Sequence, residues 1–368
     1  MTIIQDEREL LSKPGDTILE TLEELRMSQA ELAKRMGKTP SKINDLISGK
    51  EPITIGTGIQ LEKILGIATQ FWMNRETLYR EQLSRIQQEE ALEECLDWLK
   101  QQPIKQLKEY GYINSEKVGI PMVEEFLKFY AVDSPKQWEE IYAVEYASTS
   151  FRRSKDHAVA IGSMTAWLRI GEIEIRKIEL PEFDKSKFKK TLESILVLVE
   201  KHPEDFAIQL KELARLSGVA IVYTIGLPNT SISGAVRWIG GNPLIQLTDR
   251  YKTNDQFWFT FFHEVGHIFL HGKKDVFIEQ FEGYDLDEGK ENEANNFAAN
   301  WLLAENFIDS LLVKEFTQRD IRLIAAQYKT HPAIVLGRLQ KLDLVKYSFG
   351  NDLKMKVILD NVIKLQRK

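Results

Sequence analysis

Two histidines four residues apart, His263 and His267, sit inside the most apolar stretch of the chain, residues 257–270, and Glu264 follows directly on the first. On a helix, positions four apart share a face and stand about 6 Å apart along the axis, so both rings can aim a nitrogen at one point. Histidine is scarce, six in 368 residues, yet three fall between 263 and 271, which argues against an incidental pair. Two imidazoles plus one carboxylate suit zinc and leave a fourth position for water. Glu264 is rotated toward that water rather than toward the metal, as the base that takes its proton. The spacing His-Glu-x-x-His therefore predicts a zinc hydrolase site on a helix.

The carboxylate ligand is expected downstream, in residues 291–298 (ENEANNFA). Glu291 and Asn295 share a helix face, so Glu291 is the candidate third ligand and Asn295 the hydrogen-bond partner of a ligating imidazole. Glu293 points elsewhere and reads as a solvated surface charge. Ala294, Phe297, Ala298, Trp301 and Leu302 would pack this second helix against the first. His271 shares the face of the histidine pair, but three histidines at successive fours span about 12 Å and cannot all reach one zinc at about 2 Å. It is expected at the rim of the cleft or as a cap on the last helical turn.

Upstream of the histidines the periodicity switches. Residues 219–223, 233–239 and 243–247 read as strands, with Gly240-Gly241-Asn242 as a hairpin connection. Helical patterns precede them at residues 188–200 and 205–216 and follow them at residues 254–271 and 290–303. Residues 167–181 fit strand or helix equally. A C-terminal pair of helical runs from Thr317 echoes a helix-turn-helix spacing but lacks polar residues suited to base contact, so it reads as a packing element.

Near the N-terminus, Ser28 caps a helix with Glu31 three residues on, a capping-box pattern; Leu32, Ala33 and Met36 face inward and Gly37 ends the helix. After a short turn Pro40 opens a second helix with Ile43, Leu46 and Ile47 on its inner face. Ser41, Lys42 and Asn44 project outward, suited to bases and phosphates of a major groove, and Gln29 is placed to hold the DNA backbone. Acidic and basic residues roughly cancel there, so affinity depends on where the charges sit.

The bulk numbers set outer limits. A net charge of -6 excludes a generally basic nucleic-acid coat but not a local basic face. One cysteine, Cys95, allows neither an intrachain disulfide nor a thiolate cluster, and it fits a reducing cytoplasm. There is no signal-peptide pattern, and the apolar run at 257–270 is too polar to span a bilayer.

With those residues in view, 263–272 (HEVGHIFLHG) and 291–303 (ENEANNFAANWLL) resemble the ImmA/IrrE family of metallopeptidases, as do 232–238 and 255–260. The resemblance implies a gluzincin-like protease with His263, His267 and Glu291 as zinc ligands and Glu264 as the catalytic base; several such proteins cleave transcriptional repressors. One departure is Leu302-Leu303-Ala304-Glu305, where the family commonly has Met-Pro, which affects the following turn. In zincin folds an extended substrate pairs with an edge strand, and the strand around Gly234 and Ala235 is the candidate; Tyr251 and Arg237 are surface residues within reach of an oxyanion role. Residues 13–16 (KPGD), 48–54 (SGKEPIT), 61–66 (LEKILG) and 71–74 (FWMN) resemble HigA-type antitoxins of the Cro/XRE class, which implies a homodimer on a palindromic operator.

The expected fold class is multidomain and mainly α: an all-α helix-turn-helix (1–85), a helical linker or middle region (86–187), an α+β zincin-like domain (188–310) and a C-terminal helical subdomain (311–368). The expected function is a double-stranded-DNA-binding transcriptional regulator carrying a zinc endopeptidase that cuts a repressor, an antitoxin or a toxin. The alternative is a non-catalytic HigA-like antitoxin or repressor whose zincin domain senses or scaffolds. A pure scaffold has no physical need for Glu264, which favours the enzyme.

Overall fold

The computed structural model describes residues 10–143, 155–230, 232–248, 253–271, 277–278, 288–303, 307 and 316–366. Two compact units emerge, one from the chain up to residue 97 with 116–124, the other from 98–115 and the chain from 125 onward.

Among its described residues the first unit closes α1 (Pro14–Glu24), α2 (Gln29–Met36), α3 (Pro40–Ile47), α4 (Ile55–Leu65) and α5 (Thr69–Glu93) over a core that includes Ile18, Leu32, Ile43, Leu61 and Trp72. Its punctuation follows the sequence. Ser28 Oγ accepts from the Glu31 amide, Gly37 ends α2 at φ 64°, and Thr39 Oγ1 accepts from the Lys42 amide as Pro40 opens α3. The expected capping box is only half formed, because the Glu31 carboxylate turns to Arg35 one turn on, at 2.7 Å. Gly15 lets α1 touch the end of α3 directly: a Cβ there would fall 1.9 Å from the Ile47 carbonyl oxygen. Helix α5 runs unbroken through residue 85.

In chain order there follow α6 (Ile104–Glu109), α7 (Ile120–Tyr130), α8 (Pro135–Trp138), α9 (Lys155–Ile175), α10 (Lys185–Lys201) and α11 (Phe206–Arg215). A four-stranded sheet comes next, built from β1 (Ala220–Tyr223), β2 (Gly234–Ile239), β3 (Asn242–Leu247) and β4 (Phe277–Ile278) in the order β1-β3-β2-β4. β1 runs parallel to β3, and β2 pairs antiparallel with both β3 and β4. Gly240 and Gly241, at φ 61° and 90°, make the two-residue hairpin turn. Helix α9 packs on β1 and β3, while α12 (Asn254–Leu270) packs on β2 and β3, so the strands are buried almost throughout.

The run at 167–175, which reads as strand or helix in sequence, is the second half of α9. It is buried nearly all round, and that erases the amphipathic period. Two features hold it to the sheet. Gly171 lies so close that a Cβ would meet Gln246 Oε1 at 2.1 Å. Beside it, Glu172 pairs with both Arg169 (2.6 Å) and Arg237 (3.1 Å), and Arg237 also donates to the Leu168 carbonyl. Arg237 is therefore a buried structural cation, not the surface residue expected; Tyr251 lies outside the described residues.

The C-terminal helices α14 (Gln318–Gln327) and α15 (Pro332–Lys341) bury Val335, Leu336 and Leu339 against Ile321 and Ala325, so the second of them is packed inward. The segment before α16 (Asp360–Gln366) clamps the start of α12: the Asn254 amide donates to the Met355 carbonyl and Lys354 pairs with Asp255 at 2.7 Å.

Buried imidazoles make stability depend on pH, and His202 is one of them. His202 ends α10 at φ 40°, and its Nδ1 accepts from Trp258 Nε1 at 3.1 Å. Burial, helped by nearby His331, pushes its pKa down to about 4. The unfolded imidazole titrates near 6.5, so between about 4 and 6.5 the unfolded state binds more protons and stability falls as pH drops. This contribution is complete above about pH 6.5. In metal-free thermal melts from about pH 7.5 to 5, His202→Gln, which keeps an acceptor for Trp258, should flatten the slope; an unchanged slope contradicts this account.

Candidate metal centre and nucleic-acid interface

The site is built where α12 meets α13 (Glu288–Leu302). Gly266, between the two histidines, permits the approach: a Cβ there would lie 3.1 Å from Ala294 Cα. Phe262 stacks on Trp301 and Phe269 on Phe297, fixing the register of the two helices. Glu291 lies one turn before Ala294 and is thereby carried to the histidine pair.

The resulting cluster is His263, His267 and Glu291, with one ligand atom of each within 4.8 Å of the others. His263 Nε2 and His267 Nε2 are 3.0 Å apart, and Glu291 oxygens stand 3.2 Å from the first and 3.5 Å from the second. Ligands about 2.0–2.1 Å from a tetrahedral zinc are separated by roughly 3.3 Å, so the spacing and the donor set fit that ion. His263 and His267 are almost fully buried and Glu291 is half-open, with a side chain 16% exposed. Burial first, then His263, His271 and Lys290, pushes His267 down to about 2, which keeps its ring neutral, with a lone pair on one nitrogen to ligate.

Asn295 stands where the facing argument puts it, with Oδ1 3.0 Å from His263 Nδ1. An amide oxygen only accepts, so His263 carries its proton at Nδ1 and its lone pair at Nε2, toward the cluster. Glu264 is fully buried and is not one of the clustered donors. It turns toward the first residue of β2: a Cβ on Gly234 would lie 2.7 Å from Glu264 Oε1. This close approach of strand and carboxylate had no signal in the sequence except the glycine itself.

One feature of the surroundings is added and one expectation changes. Glu293 is the solvated surface charge expected, with a side chain 64% exposed, and its Oε2 also lies 3.2 Å from His271 Nε2. The strand around Gly234 and Ala235 is not an edge, because β4 pairs with it at Ala235 and Val236; β4 takes the outer position.

In the first unit Gln29, Ser41, Lys42 and Asn44 are all exposed. Ser41, Lys42 and Asn44 lie on α3, and Gln29 opens α2. Sequence reasoning missed one partner: Lys42 Nζ is held 3.0 Å from Glu51 Oε2.

Comparisons with known proteins follow this division. Residues 18–72 match the helix-turn-helix family model, and residues 218–340 match a peptidase family described as the IrrE N-terminal-like domain. An HTH-type transcriptional regulator of Escherichia coli, YddM, described as uncharacterized, is 36% identical over 67 residues, 18% of this chain and 71% of the relative. Virulence-associated protein I of Dichelobacter nodosus is 33% identical over 67 residues, 18% of this chain and 62% of that protein. Among the described residues no helix is long and apolar enough to cross a membrane. The chain belongs to the helix-turn-helix transcriptional regulators and carries, later in its sequence, an IrrE N-terminal-like peptidase domain.

Proposed function

We propose that this regulator is also a zinc-dependent endopeptidase. The observation that carries the reading is the convergence of His263, His267 and Glu291 beside a buried Glu264. A zinc ion bound by those three side chains supplies Lewis acidity toward a peptide carbonyl and acidifies a water. Glu264 accepts the proton of the attacking water and returns it to the departing amine as the C–N bond breaks. The outer strand β4 offers backbone groups to an extended peptide. A peptidase carried on a DNA-binding chain meets other regulators first, so a repressor, an antitoxin or a partner toxin is the substrate class. Comparing cellular proteins in the presence of the wild type and of Glu264→Gln tests this. One DNA-binding protein cut only by the wild type is expected; identical inventories would leave a sensor or scaffold.

The DNA side of the reading uses α3 as the recognition helix, with Ser41, Lys42 and Asn44 toward the bases and phosphates and Gln29 on the backbone of a palindromic operator bound by a homodimer. Ile55 and Ile59, exposed one turn apart on α4, supply an apolar face for the second copy. Glu51 restrains Lys42 in the free protein. An exposed pair is worth about 0.2–1 kcal/mol, so Glu51→Ala should tighten binding to the chain's own upstream DNA by up to roughly fivefold at low salt. Fluorescence anisotropy measures this, and weaker binding would place Lys42 away from the phosphates.

A further inference from the structure

Beyond the three candidate ligands, the second histidine is tied outward through two more side chains. His267 Nδ1 stands 2.9 Å from His271 Nδ1, and His271 Nε2 stands 3.2 Å from Glu293 Oε2. The His271 side chain is only 3% exposed, whereas that of Glu293 is 64% exposed, so the chain of contacts runs from the buried cluster to solvent. His271 leaves α12 in an extended conformation while its backbone N–H still donates to the His267 carbonyl, so ring and backbone both turn to the same residue.

The order of protons along this chain follows from what each group can do. A carboxylate has acceptors only, so the proton between Glu293 and His271 belongs to His271 Nε2. A neutral imidazole protonated there offers a lone pair at Nδ1, so the proton between the rings belongs to His267 Nδ1. That places the lone pair of His267 at Nε2, the atom facing His263 Nε2 and Glu291. We propose that His271 and Glu293 are positioning residues that fix the metal-binding tautomer of His267, the counterpart of Asn295 on His263. The third histidine of the helix face, too far along the axis to be a ligand, thereby serves the ligand before it.

The inference rests on the reading of the cluster as a metal site, and two readouts keep the two apart. In the metal-free wild type, long-range nitrogen–proton correlation spectra should find the His267 proton at Nδ1. In chelator competition with zinc, His271→Phe, which has no acceptor, should bind about ten- to a hundredfold more weakly. His271→Asn, whose Oδ1 stands where Nδ1 stood, should recover most of that loss. Wild-type affinity in the Phe variant, a still weaker Asn variant, or a His267 proton at Nε2 in the wild type overturns the proposal. A wild type that takes up no zinc sinks the metal reading instead, and the tautomer spectrum still decides the assignment of His271 and Glu293.

Discussion

Glu264→Gln protein should bind zinc as the wild type does, melt at the same temperature, and cleave its substrate about 10²–10⁴-fold more slowly. The magnitude is that of a lost general base. The expectation that metal and fold survive has a structural ground: Glu264 is outside the clustered donors, and an amide reproduces the shape of the carboxylate under Gly234. Paired measurement of zinc content and cleavage separates the possible roles. Loss of zinc along with activity would make Glu264 a ligand or a structural residue, and cleavage at the wild-type rate would remove it from the chemistry.

The second large effect is on stability and falls far from the histidines. Glu172→Ala should cost the second unit about 3–5 kcal/mol, because it leaves the guanidinium groups of Arg169 and Arg237, 6% and 8% exposed, without their shared carboxylate. Replacing a buried charged triad wholesale can be neutral, but removing its one anion is not. Urea unfolding of chelated protein reads this without the added stabilisation a bound ion gives. A loss below about 1 kcal/mol would mean that water, not Glu172, balances the two arginines.

These outcomes also mark how far the sequence could be read. That His263 and His267 share one helix face, and Glu291 and Asn295 another, was legible because helix periodicity decides it; that the two faces meet follows from the packing at Gly266 and Ala294. Ser28, Gly37 and Pro40 of the helix-turn-helix were legible for a similar reason, since they act within a few residues of themselves, while the Thr39 cap was not read. What stayed hidden depended on partners distant in sequence. Glu293 is the surface charge it reads as, but its contact with His271 arises only from the packing at Gly266 and Ala294. Lys42 reads as free until the turn after α3 returns Glu51 to it. Helix α9 defeats a periodicity argument because it has no solvent face along Ser163–Gly171 to create one. The short strand β4 carries too few residues to show a period, and among the described residues it, not β2, takes the outer position in the sheet.

Zinc content per chain tests the central claim most directly. Purified wild-type protein, after gel filtration against a weak chelator, should retain about one zinc by mass spectrometry, as a site with three protein ligands requires. His263→Ala and His267→Ala should each retain essentially none while keeping the helical content of the wild type. Full zinc in both variants, or none in the wild type at any free concentration below precipitation, would contradict the account.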